Sequence, residues 1–188
     1  RMTASLMKGH TWKKRKHKMT YPAWVEIKYD EIRCHVIVNP QNWAVDYISF
    51  AGKPLHNLSE FDRKWVELAQ ITGLYEFDTG FEANGTYNDS YRWVRSSKGL
   101  PDDLIGKPTK FLLFDLPTVN GRFEERMGIR HNVAVLALSI DFDNLFQPAG
   151  SWAHEHDSVD AMFKVARERG FEGLMVKSLD HTYERGKR

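Results

Sequence analysis

The chain has 188 residues, of which 41% are hydrophobic and 28% charged, a composition typical of one globular domain or two small ones. Its single cysteine excludes an internal disulfide framework and fits a reducing cytoplasm. No apolar run reaches the roughly 20 residues of a membrane-spanning helix, so we expect no membrane association. Residues 1–18 carry seven Lys or Arg and no Asp or Glu, whereas residues 19–188 carry 20 basic and 25 acidic residues. This basic N-terminal segment (residues 1–20) on an acidic body indicates contact with a polyanion.

The predicted elements follow one another without a regular βαβ rhythm. Strands are predicted at 23–29, 33–39, 43–50, 74–83, 109–117 and 172–178. Helices are predicted over about 60–71, 123–139 and 158–169, with Ser59 and Ser158 as N-caps and Gly73 and Gly170 as stops. The stretch "ANGTYND" (83–89) predicts a turn. Together they predict an α+β fold with mainly antiparallel sheets flanked by helices.

Charged residues interrupt several strands that otherwise have the pattern of buried strands. In "AWVEIKYDEIRCHVIV" (23–38), strand alternation places Glu26, Lys28 and Asp30 on one face. The other strands contribute Glu76, Asp78, Asp115, Glu172 and Lys177. Lysines suit phosphate and carboxylates suit a divalent metal, and a lysine in such a pocket can act as a nucleophile. Because no glycine-rich phosphate loop is present, the residues favour lysine-centred nucleotide chemistry.

Three motifs carry a resemblance to a known superfamily. The stretch "KYDEIR" (28–33) resembles the K-x-D-G-x-R signature of covalent nucleotidyltransferases, which include ATP-dependent DNA ligases, RNA ligases and mRNA capping enzymes. The strand "KFLLFDL" (110–116) resembles their hydrophobic-F-D motif, and "EGLMVK" (172–177) resembles their E-G-hydrophobic-hydrophobic-x-K motif. The tail "HTYERGKR" is similar to the stretch before the last motif of small phage-type DNA ligases. The resemblance covers residues 21–188 and implies an adenylation domain with a nucleotidyltransferase (ATP-grasp-like) fold.

The resemblance also implies a reaction with ATP and Mg²⁺ or Mn²⁺. Lys28 would attack the α-phosphate of ATP, carry AMP, and pass it to the 5′-phosphate of a nick in duplex DNA, which the 3′-OH then seals. Asp30 would orient Lys28 or a metal-bound water. The residues implied to contact the nucleotide are Glu26, Ile27, Lys28, Arg33, Asp78, Glu82, Phe114, Met175 and Lys177. The implied metal ligands are Glu172 and Glu76.

Within this scheme, Phe114 would stack on the adenine, with Met175 or Leu174 on its other face. Arg33 would contact the ribose or the nick, and Lys177 the α-phosphate. The family's D-G-E motif appears only as "EFDTGFE" (76–82), so Glu76, Asp78 and Glu82 remain alternatives for a metal or ribose ligand.

The sequence departs from the family pattern at several places. Glu31 stands where the family has glycine, which would cost on the order of 1 kcal/mol if the turn needs a positive φ. Phe50 stands where many relatives have an arginine. The family's K-x-K motif and OB-fold domain do not occur in these 188 residues, and we expect both in a longer protein.

The resemblance leaves the nucleic acid open. The main expectation is a monomeric viral DNA ligase in the host cytoplasm, which acts on nicked duplex DNA with residues 8–18 along its backbone. The alternatives are an RNA ligase, a capping enzyme, or a degenerate module that binds nicks without catalysis. Glu31 is the feature that supports the last of these, since a carboxylate beside Lys28 favours a charged amine.

Other features have two interpretations. The stretch "SYRWVRSSKG" (90–99) suits nucleic-acid binding, although Trp93 and Val94 suit the core equally. Arg126 and Arg130 have the pattern of surface ion pairs on the helix at 123–139. Asp157 or Ser158 is expected to cap the helix that follows the polar loop at 154–157.

Overall fold

A computed structural model describes residues 5–186; Arg1 of the basic segment lies outside them. Within them, the strands are β1 (Ala23–Lys28), β2 (Ile32–Val38), β3 (Val45–Ser49), β4 (Glu76–Ala83), β5 (Thr109–Asp115), β6 (Leu145–Phe146), β7 (Gly150–Ala153) and β8 (Gly173–Lys177). The α-helices are α1 (Trp12–Arg15), α2 (Asp62–Thr72), α3 (Tyr87–Arg95), α4 (Phe123–Ser139) and α5 (His156–Glu168). Short 3-10 helices cover Lys16–Lys18, Ser59–Phe61 and Asp102–Leu104.

Two sheets form the fold. The larger sheet has the order β3-β2-β4-β5-β6 and is antiparallel except where β5 and β6 run parallel. The smaller sheet has the order β7-β1-β8 and is antiparallel throughout. The predicted α+β class with mainly antiparallel sheets is therefore confirmed. No helix in residues 5–186 combines the length and the apolar character needed to cross a membrane.

The main core lies on one face of the larger sheet, under α2 and α4. Trp65 of α2 is completely buried, and its ring centroid lies 4.9 to 5.2 Å from those of Phe77, Phe111 and Phe142. Burial of large aromatic side chains dominates the stability of such a core, and truncation of one typically costs about 3–5 kcal/mol. A smaller core centred on Val25 supports β1 of the second sheet.

The ends of the predicted helices are partly confirmed. Gly73 ends α2 in the left-handed conformation, with φ of 71°, as predicted. The predicted capping by Ser59 is wrong, because Ser59 lies in a 3-10 turn before α2 and makes no capping hydrogen bond. The predicted caps of α5 are also wrong, since the helix begins at His156 and its N-cap position is Glu155.

Helix α3 is a finding that the sequence did not predict. The predicted turn occupies only the start of "ANGTYND", where Asn84 and Gly85 both have positive φ. Thr86 then caps α3 and accepts a hydrogen bond from the backbone amide of Asp89 at 3.1 Å. The helix buries Trp93 and Val94, so the core interpretation is correct for both.

Candidate active site

A pocket of about 600 Å³ lies between the two sheets, a volume suited to a small ligand. Its walls come from β1, β8, the loop after β1, the end of β5 and the N-terminal segment. The predicted site residues that line it are Glu26, Ile27, Lys28, Arg33, Asp78, Phe114, Met175 and Lys177. The two sheets thus bring together residues from the three motifs named in the sequence.

Lys28 is the last residue of β1, and it faces the start of β8. The antiparallel register pairs Lys28 with Gly173, which places the preceding residue, Glu172, beside the lysine. The Lys28 Nζ donates a hydrogen bond to Glu172 Oε1 at 2.6 Å, and both side chains are nearly half exposed. The amine is therefore held at the open mouth of the pocket, where a substrate has access to it.

The other β8 side chains alternate between the pocket and the smaller core. Met175 lines the pocket, Leu174 packs against the smaller core around Val25, and Val176 borders both. Strand alternation explains this separation. Of the two candidates for the second face of a base, the pocket therefore contains Met175.

Glu26 is buried below the pocket, with 1% of its surface exposed. Arg130 and Trp24 donate hydrogen bonds to its Oε2, and the Lys177 Nζ lies 2.7 Å from its Oε1. Burial alone would raise the pKa of Glu26, but the cations of Lys177 and Arg130 bring it below its ordinary value. This carboxylate therefore stays charged and anchors Lys177 to β1.

The sequence interpretation of Arg126 and Arg130 as surface residues is wrong. Both are ion-paired, but they are only 1% and 2% exposed. Arg126 binds Asp115 through two hydrogen bonds of 2.8 and 3.1 Å and also donates to the His181 carbonyl. Because buried charges need such partners, these arginines tie α4 to β5 and to the C-terminal stretch.

Asp78 lines the pocket, but both oxygens of its carboxylate already accept hydrogen bonds from other side chains. Arg33 grips it with two hydrogen bonds of 2.6 and 2.7 Å, and the Tyr183 hydroxyl donates a third at 2.8 Å. Although burial opposes the charge of Arg33, the neighbouring Asp78 raises the pKa of Arg33 above its ordinary value. The Arg33 guanidinium carbon also lies 5.9 Å from the centroid of the Phe114 ring.

Phe114 owes its position to a bulge in β5. Asp78 of β4 pairs with Asp115 of β5, but the next residue of β4 pairs with Leu113. Phe114 therefore has no partner on β4 and lines the pocket, while Leu113 stays in the core. Bulges commonly redirect a side chain in this way beside functional sites.

Glu31 lies in the pocket without the backbone strain considered from the sequence. Its φ is not among the positive values found in residues 5–186, so this turn does not require glycine. Its side chain lies against Gly80 of β4, close to the Phe114 ring. Burial raises the pKa of Glu31 to about 7, although Arg33 and Lys28 lower it.

Four predicted site residues are not among the residues that line the pocket, namely Glu172, which lies beside Lys28, and Asp30, Glu76 and Glu82. Asp30 is exposed, and its side chain makes no hydrogen bond or ion pair within residues 5–186. Glu76 binds His35 at 2.8 Å and Arg185 at 2.8 and 3.0 Å, and although burial opposes it, these bonds lower the pKa of Glu76 to about 2. Glu82 pairs with Lys110 at 3.3 Å.

The N-terminal segment forms a wall that the sequence did not predict. Leu6 is buried, and the Arg33 guanidinium donates a hydrogen bond to the Met7 carbonyl at 2.9 Å. Gly9 then passes close to Met175, and the Trp12 ring contacts His156 at 5.9 Å between centroids. Residues 7–12, 15, 18 and 19 line the pocket. These contacts span most of the chain, so no local pattern could have indicated them.

The residues fit a metal ion that arrives with a substrate. In the described part of the chain, no group of three or more His, Cys, Asp or Glu side chains is placed to hold a metal. Mg²⁺ is commonly held by one or two carboxylates together with substrate phosphates and water. Glu172, which pairs with Lys28, would supply one such carboxylate.

No protein-family model matches the chain, and no curated protein matches it in sequence. Solved structures match at probability 1.00. Chlorella virus DNA ligase-adenylate shows a TM-score of 0.69 with 19% identity over 98% of this chain and 61% of that one. The ATP-dependent DNA ligase from bacteriophage T7 in complex with ATP shows 0.68 with 18% identity over 99% and 65%. A structure called Pmar-Lig_PreS3 shows 0.77 with 21% identity over 98% and 44%.

The chain thus spans about half to two thirds of the length of these structures. Nearly all of it superposes on them, and the matching region has the same arrangement of mixed, mainly antiparallel sheets and flanking helices. This chain therefore has the nucleotidyltransferase-domain fold of the ATP-dependent DNA ligases.

Proposed function

We propose that this chain is the adenylation domain of an ATP-dependent DNA ligase. The observation that carries the proposal is the position of Lys28 at the mouth of the pocket, 2.6 Å from Glu172, with Phe114 and Lys177 in the same walls. A lysine nucleophile, a ring for a base and a second cation for phosphate are the parts that transfer of AMP requires.

In the proposed reaction, Lys28 first gives up its ammonium proton to solvent, and the free amine Nζ then attacks the α-phosphorus of ATP. The bond from that phosphorus to the bridging oxygen breaks, pyrophosphate leaves, and AMP is joined to the lysine by a P–N bond after the nitrogen loses a proton. AMP then passes to the 5′-phosphate of a DNA nick, and the 3′-OH displaces it. When bound, Mg²⁺ would neutralise the phosphates, with Glu172 as its protein ligand.

The other pocket residues bind and orient the nucleotide in this proposal. Phe114 and Met175, which both line the pocket, would cover the two faces of the adenine, and Lys177, paired with Glu26, would supply positive charge. Lys13, Lys14 and Lys16 are exposed outside the pocket and suit the phosphates of a DNA duplex. Cys34 takes no part, since it is buried and burial raises its pKa to about 12.

The proposal is tested by the intact mass of the protein after incubation with ATP and Mg²⁺. One added AMP, absent with GTP and absent from a Lys28→Ala variant, is the expected result. The adenylated protein is then offered nicked duplexes with DNA or RNA strands. No adduct from ATP would contradict the proposal, an adduct with GTP would favour a capping enzyme, and sealing of RNA alone would favour an RNA ligase.

A further inference from the structure

The Glu31 side chain lies in space that any residue other than glycine at position 80 would occupy. A Cβ atom on residue 80 would lie 2.3 Å from the Glu31 Cγ and 2.8 Å from two ring atoms of Phe114. Real Cβ contacts are not this short, so only Gly80 lets the carboxyl chain and the ring lie side by side above β4. Gly80 of β4 has no side chain, and the side chain of Glu31, from the loop after β1, occupies the space beside it.

The Glu31 carboxyl differs from the other carboxylates around the pocket because it has no partner side chain. Asp78 forms an ion pair with Arg33, and Glu172 forms one with Lys28. Within residues 5–186, no side chain donates a hydrogen bond to Glu31 or forms an ion pair with it. Burial and the nearby charge of Glu172 raise the pKa of Glu31 to about 7, and Arg33 and Lys28 offset this rise only in part. Apart from a bond from its own backbone amide, this half-buried carboxyl has no donor among residues 5–186, which leaves acceptor sites in the pocket for a donor on the ligand.

The location of Glu31 specifies which part of a nucleotide would meet it. The carboxyl chain lies next to the Phe114 ring, which suits a base, and three residues after Lys28, which would bind the α-phosphorus. The group between a base and an α-phosphate is the sugar. A carboxylate repels phosphates, but its two oxygens readily accept hydrogen bonds from neighbouring hydroxyls.

We propose that Glu31 binds the ribose hydroxyls of the nucleotide and makes this site selective for ribonucleotides. The inference rests on the proposed function, because it assumes that the pocket holds ATP. The 2′- and 3′-hydroxyls of a ribose are adjacent, so one carboxylate accepts a hydrogen bond from each. Hydrogen bonds to a charged group contribute about 1.5–3 kcal/mol, which corresponds to roughly a tenfold to hundredfold preference for a nucleotide that has both hydroxyls.

The test compares the rate of protein–AMP formation from ATP, 2′-deoxy-ATP and 3′-deoxy-ATP. The unaltered protein is expected to react about tenfold to hundredfold faster with ATP than with at least one deoxy analogue. A Glu31→Ala variant should lose most of its rate with ATP, keep its rate with that analogue, and show nearly equal rates. Glu31→Gln, which keeps the shape and accepts only neutral hydrogen bonds, should fall between them. Glu67→Ala removes a surface carboxylate and serves as the matched control.

The outcomes separate the inference from the proposed function. If the unaltered protein forms no adduct with ATP, the proposed function itself fails. If it forms the adduct but shows no preference for ATP, or if Glu31→Ala retains that preference, the assignment of Glu31 is wrong and the adenylation proposal stands.

Discussion

Glu26 and Arg130 form a buried ion pair between β1 and α4, with 1% and 2% of the respective side chains exposed. The pair joins residues 104 positions apart and, through Lys177, extends to β8. It therefore connects the smaller sheet, which carries Lys28, to the helix that covers the larger sheet.

Glu26→Ala is expected to destabilise the protein by about 3–5 kcal/mol, because it leaves the cations of Arg130 and Lys177 without their common partner. Urea unfolding followed by fluorescence measures the change. Glu67→Ala is the control, since its pair with Lys64 spans 3.7 Å between partly exposed groups and should contribute less than about 1 kcal/mol. Equal losses in the two variants would contradict the anchoring role of Glu26.

Glu172→Gln is expected to slow adenylation by tenfold or more and to change the free energy of unfolding by less than about 1 kcal/mol. The pair with Lys28 is too exposed to stabilise the fold, whereas the proposed reaction makes Glu172 the protein ligand of the metal. Rates measured over a range of Mg²⁺ concentrations should show a higher requirement for the metal in the variant. An unchanged requirement would exclude Glu172 as the metal ligand.

Gly80→Ala is expected to lower adenylation strongly, because its methyl group would displace both Glu31 and the Phe114 ring. The matched control is Gly128→Ala in α4, where a new Cβ meets no atom within 4 Å. Alanine in a helix interior should raise stability there by about 0.5–1 kcal/mol and leave the reaction unaffected. Nucleotide binding by calorimetry, alongside the reaction rate, distinguishes a disturbed pocket from a disturbed chemical step.

The elevated pKa of Glu31 makes a prediction about pH. Its carboxyl has an ordinary pKa of 4.5 and a pKa of about 7 in the folded protein. As the pH rises, the unfolded chain therefore releases this proton before the folded protein does. The raised pKa of Glu31 therefore stabilises the folded state most below about pH 4.5. This stabilisation, on the order of 1–3 kcal/mol, is lost as the pH rises through 7. The free energy of unfolding is measured between pH 5 and 8 for the unaltered protein and for Glu31→Gln. The difference between the two curves gives the pH dependence that Glu31 contributes. Parallel curves would show that Glu31 titrates normally.

The exposed lysines of the N-terminal segment are expected to bind DNA. Lys13 and Lys14 do not line the pocket, and neither forms an ion pair within the described residues. Replacement of both by alanine should weaken binding to nicked duplex and reduce the slope of log affinity against log salt by about 1–2. The thermal unfolding midpoint checks that the variant is folded. An unchanged salt slope would show that DNA contacts another surface.

The elements that the sequence predicted best are those with strong local periodicity. Helix α4 has its predicted bounds, and all six predicted strands are present with ends that differ by a few residues. Helix α3 was missed because its polar first turn, "YNDS", follows a turn signal and resembles a loop. The caps at Ser59 and Ser158 were wrong because a 3-10 turn at Ser59–Phe61 precedes α2, and because α5 begins at His156, two residues before Ser158.

The sequence by itself determined the fold class and the residue types of the pocket, because motif spacing and strand alternation are local properties of the chain. The tertiary structure alone decided which of those residues meet. It left Asp30, Glu76, Glu82 and Glu172 outside the pocket walls, buried Arg126 and Arg130, and brought the N-terminal segment across the site. It also placed Glu31 over Gly80. These relationships depend on the packing of two sheets and on pairings between distant residues, which no pattern within one strand or helix contains.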